Sequence, residues 1–323
     1  MTTKEMIVTI LEENKDHYFS GETLAAQLNV SRAAISKAVK ELKKEGFTID
    51  AVTNKGYCLS SESDVLSSAV IESYLQKNGY YVETVTYKTI ESTNQTAKKM
   101  ALDGANHGTV VLSEEQTQGR GRLGRSFYSP KNSGIYMSII LRPQFDMQSS
   151  LLITTAASVA VCRAIEKLTR IQAEIKWVND IYLNGKKVCG ILTEAVTDFE
   201  SGTIEHIILG IGINVTTANF PDEIKEIASA LLNSSSNKLT RNELAAEIIY
   251  QVFEITNELQ TKEFMSEYKK RSFVIGQKVN VIQPTNTFLA TAIDINEQGG
   301  LVVKAEDGQV IELNTGEVSI RKV

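Results

Sequence analysis

The sequence predicts an α+β protein of three parts: an N-terminal winged helix-turn-helix, a central mixed α/β domain and a small C-terminal β-barrel. Two short helical patterns joined by a tight turn predict the first part, and strand patterns that alternate with longer helical patterns predict the second. The C-terminal residues carry short strand patterns alone. A chain of 323 residues has room for two or three domains, and we place them at residues 1–65, 66–270 and 271–323.

Composition and hydropathy are those of a soluble globular protein, with 42% hydrophobic and 23% charged residues. The longest apolar run, Leu151–Cys162, is interrupted by hydroxyl residues and is shorter than the about 18 residues that a membrane-spanning helix needs. Met1–Glu13 carries several charged side chains where a secretion signal would be apolar. We therefore expect a cytoplasmic protein with no membrane partner.

Charge, cysteine and histidine content exclude some classes of site. A net charge of -5 argues against a protein coated with nucleic acid but leaves room for a local basic patch. Three scattered cysteines without metal-ligand spacing are expected to be buried reduced thiols, namely Cys58, Cys162 and Cys189. The histidines lie in unrelated contexts and are His17, His107 and His206. No metal-ligating residue is therefore assigned.

Residues 22–46 predict two helices joined by a short turn. Glu22–Leu28 is rich in helix formers, and Ser31 can cap a second helix that runs toward Gly46. The core-facing positions of the second helix recur at spacings of four and three and are Ile35, Val39 and Leu42. Between Arg32 and Lys44 the sequence has five basic residues against one acid. The second helix therefore has a basic outer face.

A hairpin pattern follows, with strands at Thr48–Val52 and Tyr57–Ser60 around the basic tip at Lys55, and a linker at Ser61–Ser68. The pattern predicts a winged helix-turn-helix that reads operator DNA in the major groove, with a solvated basic face as the alternative. One such unit reads one half-site, so we expect a homodimer. The predicted DNA-contacting residues are Ser31, Arg32, Ser36, Lys37, Lys40 and Lys55.

The central region alternates strand and helix patterns, which predicts a mixed α+β domain. The strand patterns are Thr84–Thr89, Thr109–Ser113, Gly134–Leu141, Lys187–Val196 and Ile204–Val215. The helical patterns are Gln95–Leu102, Leu151–Leu168 and Glu243–Leu259.

Residues 116–125, Gln-Thr-Gln-Gly-Arg-Gly-Arg-Leu-Gly-Arg, form a loop with three glycines and three arginines. Glycine lets the backbone approach a ligand, and guanidinium groups offer fixed pairs of donors to an oxyanion. The loop lacks the Gly-Lys-Ser/Thr of a Walker loop and the spacing of a dinucleotide-binding fingerprint. It favours phosphate binding, with nonspecific nucleic-acid contact as the alternative.

Two later segments add a lysine and room for a ligand. A strong hairpin pattern at Asn184-Gly185 places Lys187 opposite Asp180 on neighbouring strands. A lysine near an arginine-rich loop can neutralise a carboxylate and a phosphate that are brought together. Gly190 leaves room beside Lys187, and the glycines of Gly210–Asn214 let a ligand approach a buried strand.

Five motifs, in this order, resemble those of the biotin protein ligases. They are Glu91-Ser92-Thr93-Asn94-Gln95, Gln116 with Gly119-Arg120-Gly121-Arg122, Lys176-Trp177-x-Asn179-Asp180, Lys187-x-x-Gly190 and Gly210-x-Gly212-Ile213-Asn214. With its helix-turn-helix and small barrel, the chain resembles end to end the members that also repress biotin-synthesis operons. The resemblance implies that biotin and ATP, with Mg²⁺, form biotinyl-5'-AMP. A lysine of a biotin carboxyl carrier protein then displaces AMP, and the ligand-bound dimer represses transcription.

The resemblance also implies roles for individual residues. Biotin would be bound by Ser92, Thr93, Asn94, Gln116, Arg120, Gly121, Arg122, Lys187, Gly190 and Gly210. Of these, Ser92, Thr93 and Gln116 would hold the neutral ureido ring, for which neutral donors and acceptors are suited. The implied catalytic residues are Lys187, Arg122 and Arg120, near the biotin carboxylate and the α-phosphate, and Asp180, which would orient the carrier lysine.

The implied adenylate-binding residues are Arg122, Phe127, Asn179, Asn214 and Arg321. Two positions depart from the family pattern. Val178 stands where the family usually has proline, and Phe127 stands where an aromatic residue near the adenine is often tryptophan.

The C-terminal region has five short strand patterns between Val279 and Ile320, with turns at Glu297–Gly300 and Asp307-Gly308. They predict a small barrel, which in the family is SH3-like and packs against the active site.

Two other functions remain open at this point: a lipoate or octanoate ligase of the same superfamily, and a transcription factor that senses a ligand without catalysis. The Gly-Arg-Gly-Arg sequence with Lys187 favours biotin over lipoate. Trp177 is expected to pack in a core instead of stacking on adenine, and Ser92 can cap the following helix as well as contact a ligand.

Overall fold

The computed structural model describes residues 1–142, 149–197, 204–232, 239–283, 286–314 and 316–320. Three sheets organise this part of the chain: a two-stranded hairpin, a seven-stranded central sheet and a five-stranded C-terminal sheet. The elements follow one another in that order along the sequence, so each sheet is built from one continuous region.

The N-terminal part has three helices followed by a hairpin: α1 (Thr3–Glu13), α2 (Gly21–Leu28), α3 (Arg32–Glu45), β1 (Ile49–Val52) and β2 (Gly56–Leu59). The Ala34 amide donates to Ser31 Oγ at 3.2 Å, and Gly46 ends α3 with a φ of 112°, which glycine adopts without strain. Ile35, Val39 and Leu42 are buried, as their spacing predicts. The predicted helix-turn-helix is confirmed, and α1, which the sequence reading did not include, packs on α3.

The central part begins with α4 (Ser68–Lys77) and is built on one seven-stranded sheet. Its strands are β3 (Thr84–Tyr87), β4 (Val110–Ser113), β5 (Gly134–Leu141), β6 (Glu174–Lys176), β7 (Asp180–Leu183), β8 (Lys186–Thr197) and β9 (Ile204–Asn214). The order across the sheet is β3-β4-β5-β9-β8-β7-β6, and every pair is antiparallel except β3 with β4. The other helices are α5 (Thr93–Leu102), α6 (Ser149–Thr169), α7 (Arg241–Thr256) and α8 (Phe264–Arg271).

The two faces of this sheet are covered differently. Alternate residues such as Met137 and Ile211 point into the large core that includes α6 and α7. On the opposite face, Ala97 and Ala101 of α5 pack against Ile208 and its neighbours at one end of the sheet. Further along the same face lie Ser138 of β5, Gly190 of β8 and Gly210 and Gly212 of β9.

The C-terminal part is a single antiparallel sheet of β10 (Lys278–Ile282), β11 (Thr287–Ile295), β12 (Leu301–Ala305), β13 (Val310–Leu313) and β14 (Glu317–Ile320). Its order is β13-β12-β11-β10-β14. In the described ranges β13 and β14 are both edge strands and do not pair with each other, so the predicted SH3-like barrel is not confirmed. Local turns determine which neighbouring strands form hairpins. Closure of the sheet into a barrel depends instead on the strand with which the last strand pairs, and β14 pairs with β10.

Buried side chains join the C-terminal sheet to the central domain. Trp177 is 3% exposed and its Nε1 donates to the Gly299 carbonyl at 2.9 Å, which agrees with the predicted packing role.

The three cysteines are buried free thiols, as predicted. Burial raises the pKa of Cys162 to about 12, which keeps this thiol protonated and unreactive. Within the described ranges, none of the helices combines the length and apolar character needed to cross a bilayer.

The cap of α3 generates a first prediction. Ser31→Ala removes the hydrogen bond to the Ala34 amide and is expected to destabilise α3 by about 1 kcal/mol. Hydrogen exchange of the α3 amides should be faster in this variant. Ser36→Ala, a replacement inside the same helix, is the matched control and should not speed exchange, because alanine is the better helix former; equal exchange in the two variants contradicts the capping role.

Candidate active site

A cleft opens on the face of the central sheet that α6 and α7 leave uncovered. It is lined by the start of α5, the glycine-arginine loop, the turn between β6 and β7, and strands β8, β9 and β14. It brings together thirteen residues singled out from the sequence: Ser92, Thr93, Asn94, Gln116, Arg120, Gly121, Arg122, Phe127, Asn179, Asp180, Lys187, Gly190 and Gly210. Asn214 ends β9 and does not line the cleft, and Arg321 lies outside the described residues.

One end of the cleft is a network of neutral polar groups. Gln116 Oε1 accepts hydrogen bonds from the backbone amide of Thr93 at 2.8 Å and from its hydroxyl at 3.1 Å. Ser138 Oγ lies 2.8 Å from Thr93 Oγ1 and 2.6 Å from Asn94 Oδ1. Ser92 is at the N-cap position of α5, but its side chain makes no capping bond. These donors and acceptors are held in place before any ligand arrives.

The glycines of the cleft make room for side chains of the protein itself. A β-carbon at Gly210 would collide with the Asn94 carboxamide, and one at Gly212 would lie 2.7 Å from the Phe127 ring. A β-carbon at Gly190 would lie 3.2 Å from Lys187 Nζ and 3.4 Å from the Phe127 ring. The sequence predicts that these glycines give access to a ligand; in the structure they first allow Asn94, Phe127 and Lys187 to pack across the sheet.

The other end of the cleft contains an ion pair. Lys187 Nζ lies 2.7 Å from Asp180 Oδ1. The expected register was wrong: Gly190 is opposite Asp180, and Lys187 is opposite Tyr182 beside an irregularity in the pairing of β7 with β8. The predicted two-residue turn is present, with positive φ at Asn184 and Gly185. The lysine reaches Asp180 because of the length of its side chain.

The C-terminal sheet contacts the glycine-arginine loop through two arginines. Arg122 donates to Asn179 Oδ1 at 3.1 Å and to the Gly316 carbonyl at 3.2 Å. Arg125 forms a two-pronged ion pair with Glu317, with an Nη2 to Oε2 distance of 2.6 Å. Arg120 is exposed, and its guanidinium faces the Gln95 carboxamide. The loop is therefore tied to β14 at one end and is accessible at the other.

Positive charge exceeds negative charge at this end of the cleft. The cations are Arg122, Arg125, Lys176 and Lys187, and the carboxylates are Asp180 and Glu317. Burial lowers the pKa of Arg122 and of Lys176 below their ordinary values, and the two nearby carboxylates oppose that effect. A bound anion would stabilise both charged forms. The charge balance therefore suits a ligand that carries more than one negative charge.

The structure adds site features that the sequence reading missed. Glu317 comes from the C-terminal sheet, and no local motif marks it. The backbone of Lys187 is bridged by the segment after β9, since its amide donates to the Ile227 carbonyl at 2.8 Å and its carbonyl accepts from the Ser229 amide at 2.9 Å. The hydropathy pattern around residues 227–229 gave no indication of this contact, because it joins segments that are distant in sequence.

The predicted DNA-contacting residues lie apart from the cleft. On α3, Ser31, Arg32, Lys37 and Lys40 are exposed, and Ser36 is half-buried. Lys55 is exposed at the turn between β1 and β2, with its Nζ 5.7 Å from the centre of the Tyr18 ring.

Comparisons with known proteins agree with this architecture. Residues 86–214 match the Biotin/lipoate A/B protein ligase family, residues 3–58 an HTH domain and residues 274–321 the Biotin protein ligase C terminal domain. The chain is 34% identical to the Bifunctional ligase/repressor BirA of Bacillus spizizenii over 312 residues, 95% of each chain. It is 27% identical to BirA of Escherichia coli over 318 residues, 98% of this chain and 96% of that one.

A solved structure agrees as well. The Biotin protein ligase from Aquifex aeolicus in complex with biotin and ATP is similar with a TM-score of 0.65 and 28% identity, over 75% of this chain and 99% of that one. Fold and cleft define a ligase that activates a carboxylate and carries a DNA-reading domain. The chain belongs to the biotin protein ligase family, among its bifunctional ligase/repressor members. The biotin interpretation is confirmed over the lipoate ligase and the ligand sensor without catalysis.

The ion pair in the cleft generates a second prediction. Lys187→Ala should slow adenylate formation by about 100-fold or more, because the variant lacks the cation that we expect between the biotin carboxylate and the α-phosphate. Pyrophosphate release measures the rate. Lys186→Ala, which removes the half-buried neighbouring lysine that does not line the cleft, is the matched control and should retain the rate. A Lys187→Ala enzyme with nearly normal pyrophosphate release would assign this lysine a structural role.

Proposed function

We propose that biotin lies along the cleft, with its ureido ring at the Gln116 end and its carboxylate at the Lys187 end. The observation that carries this proposal is the division of the cleft into a neutral hydrogen-bonding end and a cationic end. A ureido ring is neutral and both donates and accepts, which suits Ser92, Thr93, Asn94 and Gln116. Gly190 and Gly210 contribute the floor between the two ends, and Gly121 lies in the loop above it.

In the first reaction a biotin carboxylate oxygen attacks the α-phosphorus of ATP, and pyrophosphate leaves as the phosphorus–oxygen bond to it breaks. Two anions approach each other in this step. Lys187, Arg120 and Arg122 lower the repulsion, and their contribution grows as charge develops in the transition state. Mg²⁺ would accompany ATP and would supply further positive charge to neutralise the phosphates.

In the second reaction the ε-amine of a carrier lysine attacks the activated carbonyl and AMP leaves. Asp180 is suited to orient this amine, because its carboxylate is in the cleft and is paired with Lys187 before ligands bind. When Lys187 turns to the anionic ligand, Asp180 is free to accept a hydrogen bond from the amine. The carrier substrate is a biotin carboxyl carrier domain.

The adenylate is assigned to the end of the cleft near Arg122 and Asn179. Asn179 holds Arg122 and also donates to the Ile191 carbonyl at 2.7 Å, so it fixes the arginine relative to β8. The Phe127 ring lies on Gly212 and offers an aromatic face to adenine. The roles of Asn214 and Arg321 rest on the family resemblance alone.

One assay tests this function directly. The protein is mixed with biotin, ATP, Mg²⁺ and a biotin carrier domain, and covalent biotin is detected on the carrier. A carrier domain whose target lysine is replaced is the control and should remain unlabelled. Absence of label on a carrier that a known ligase can modify would contradict the ligase function.

The glycine-arginine loop generates a third prediction. Arg122→Ala should fold normally but retain biotinyl-5'-AMP poorly, because the loop then loses its bonds to Asn179 and Gly316 and to the ligand anions. Released intermediate should label lysines of added bystander proteins. Lys131→Ala, an exposed lysine outside the cleft, is the control. Equal retention in the two variants contradicts the proposed closure by Arg122.

For transcription, α3 is the recognition helix and the β1–β2 hairpin is the wing, in a DNA-binding unit of residues 1–65. The catalytic and C-terminal units are residues 66–270 and 271–323. Operator binding requires two heads, and so a homodimer. Biotinyl-5'-AMP orders the loop at residues 119–125 into a dimer surface that also hides the adenylate from the carrier. The ligand shifts dimerisation by its differential affinity for the two states, of about 1 to 3 kcal/mol.

This coupling generates a fourth prediction. Sedimentation should show more dimer with biotin and ATP than without, and operator affinity should rise in parallel and fall steeply with salt. Excess carrier lacking biotin should compete with DNA binding. The double replacement Lys37→Ala/Lys40→Ala should weaken operator binding about 10-fold or more and leave ligation unchanged. Its control is Lys98→Ala/Lys99→Ala, which replaces two exposed lysines of α5 and should change neither operator binding nor ligation. Ligand that leaves dimer fraction and operator affinity unchanged refutes the coupling.

A further inference from the structure

We propose that Arg241 and Asn242, the first residues of α7, fix the orientation of the helix-turn-helix head on the ligase core and thereby set the half-site spacing that the dimer reads. The inference rests on the operator-binding dimer proposed above. Nothing in the ligase chemistry requires these two side chains, which lie outside the cleft. Both are buried, with 0% and 1% exposure.

Arg241 binds two acidic residues from different parts of the chain. Its amide and its Nε each lie 2.9 Å from a carboxylate oxygen of Asp64, in the segment between the head and α4, and its Nη2 donates to the Asp64 carbonyl. Its Nη1 lies 2.6 Å from Glu114 Oε2, just after β4. A buried guanidinium with two carboxylates and several further bonds holds both partners in one geometry.

The segment between head and core is held by side chains along its length. Asn242 accepts from the Ser67 amide at 2.8 Å and donates to the Val65 carbonyl at 2.8 Å. The Leu66 amide donates to Glu114 Oε1 at 2.7 Å. The sequence pattern predicts a linker here, but these bonds leave its backbone little freedom. We call residues 64–67 with Arg241, Asn242 and Glu114 the clamp.

The clamp also connects the head to the biotin-binding end of the cleft. Glu114 is two residues before Gln116, whose side chain bonds to Thr93. The head and the strand end that leads to the ureido site are therefore attached to the same arginine. Movement of one relative to the other requires buried charge-assisted bonds to break.

A rigid attachment has a consequence for DNA reading. Two recognition helices fit one face of DNA when their separation matches a whole number of helical turns, about 10 base pairs each. Heads on flexible tethers would tolerate altered spacing, because each could find its own half-site. Heads fixed by the clamp transmit the dimer geometry to the DNA and bind at one spacing.

The test uses Asp64→Ala/Asn242→Ala in the full-length chain. These replacements remove the bonds made by the Asp64 and Asn242 side chains, while Arg241 keeps Glu114 and the Asp64 carbonyl, so no buried charge is left unpaired. Asp64→Ala alone is a milder second variant. Lys77→Gln is the matched control, because Lys77 pairs with Glu13 at 2.6 Å across the same two units but on the surface.

The probe is a duplex that the wild-type protein, with biotin and ATP, enriches from a random DNA pool, together with versions that carry about 5 or about 10 extra base pairs between the half-sites. The wild type and Lys77→Gln should lose about 100-fold or more in affinity with the half-turn insertion. The clamp variants should bind the original duplex more weakly but lose less than about 10-fold on insertion. Their carrier biotinylation rate should equal that of the wild type.

Three outcomes separate the hypotheses. Spacing dependence that disappears in clamp variants that still dimerise supports the inference. Dimeric clamp variants with the wild-type spacing dependence overturn it. Wild-type protein that shows no ligand-dependent dimer by sedimentation refutes the proposed dimer and the inference with it. Hydrogen exchange of the Ser67 amide, which donates to Asn242, is a second measurement that needs no DNA: fast exchange in the wild type overturns the clamp, and protection that Asp64→Ala/Asn242→Ala removes supports it.

Discussion

The two-residue period of the central sheet is the constraint on which the site depends. Because successive side chains point to opposite faces, a strand that buries large residues against α6 and α7 must present the intervening ones to the other face. On β9, Ile211 and Ile213 enter the core, so Gly210 and Gly212 face the cleft. Glycine at those positions lets Asn94 and Phe127 lie directly on the backbone. Core packing and cleft shape are thus consequences of one alternation.

The charged side chains lie at one end of the cleft, so its two ends differ in chemical character. Cations come from the glycine-arginine loop, from the end of β6 and from β8, and the opposing carboxylates come from β7 and β14. Lys187 and Asp180 satisfy each other at 2.7 Å until a ligand competes for the lysine. Arg125 with Glu317 makes the C-terminal sheet part of the same arrangement. The C-terminal sheet therefore contributes to loop position whether or not it touches the substrates.

The same logic of buried polar contacts extends to the N-terminal head. Four backbone groups of residues 64–67 bond to side chains: the Asp64 and Val65 carbonyls and the Leu66 and Ser67 amides. Arg241, Asn242 and Glu114 supply those partners. The segment is held by side chains from two distant parts of the chain. Its composition is that of a linker, but these hydrogen bonds restrict its backbone. Glu114 bonds to this segment and to Arg241 and lies two residues before Gln116, so the same residues connect the N-terminal part to one end of the cleft.

The sequence by itself determined the features that depend on neighbours along the chain. Ser31 and the Ile35, Val39 and Leu42 spacing predicted α3, and Asn184-Gly185 predicted the β7–β8 turn, because caps, helical periods and tight turns are local. Motif order identified most residues of the cleft. Helices α1, α4 and α8 were not predicted, although their burial patterns are those of packed helices.

Tertiary structure alone decided the features that join distant segments. The two-residue turn itself places Lys187 opposite Tyr182, and an irregularity after that pair brings Gly190, instead of Cys189, opposite Asp180. Among the described residues, β14 pairs with β10 and leaves β13 and β14 as edge strands, where a barrel was expected. Arg241 and Glu317 have no motif around them, and their roles arise from partners more than a hundred residues away. Charge pairing and strand closure depend on distances in space, which local sequence patterns do not encode.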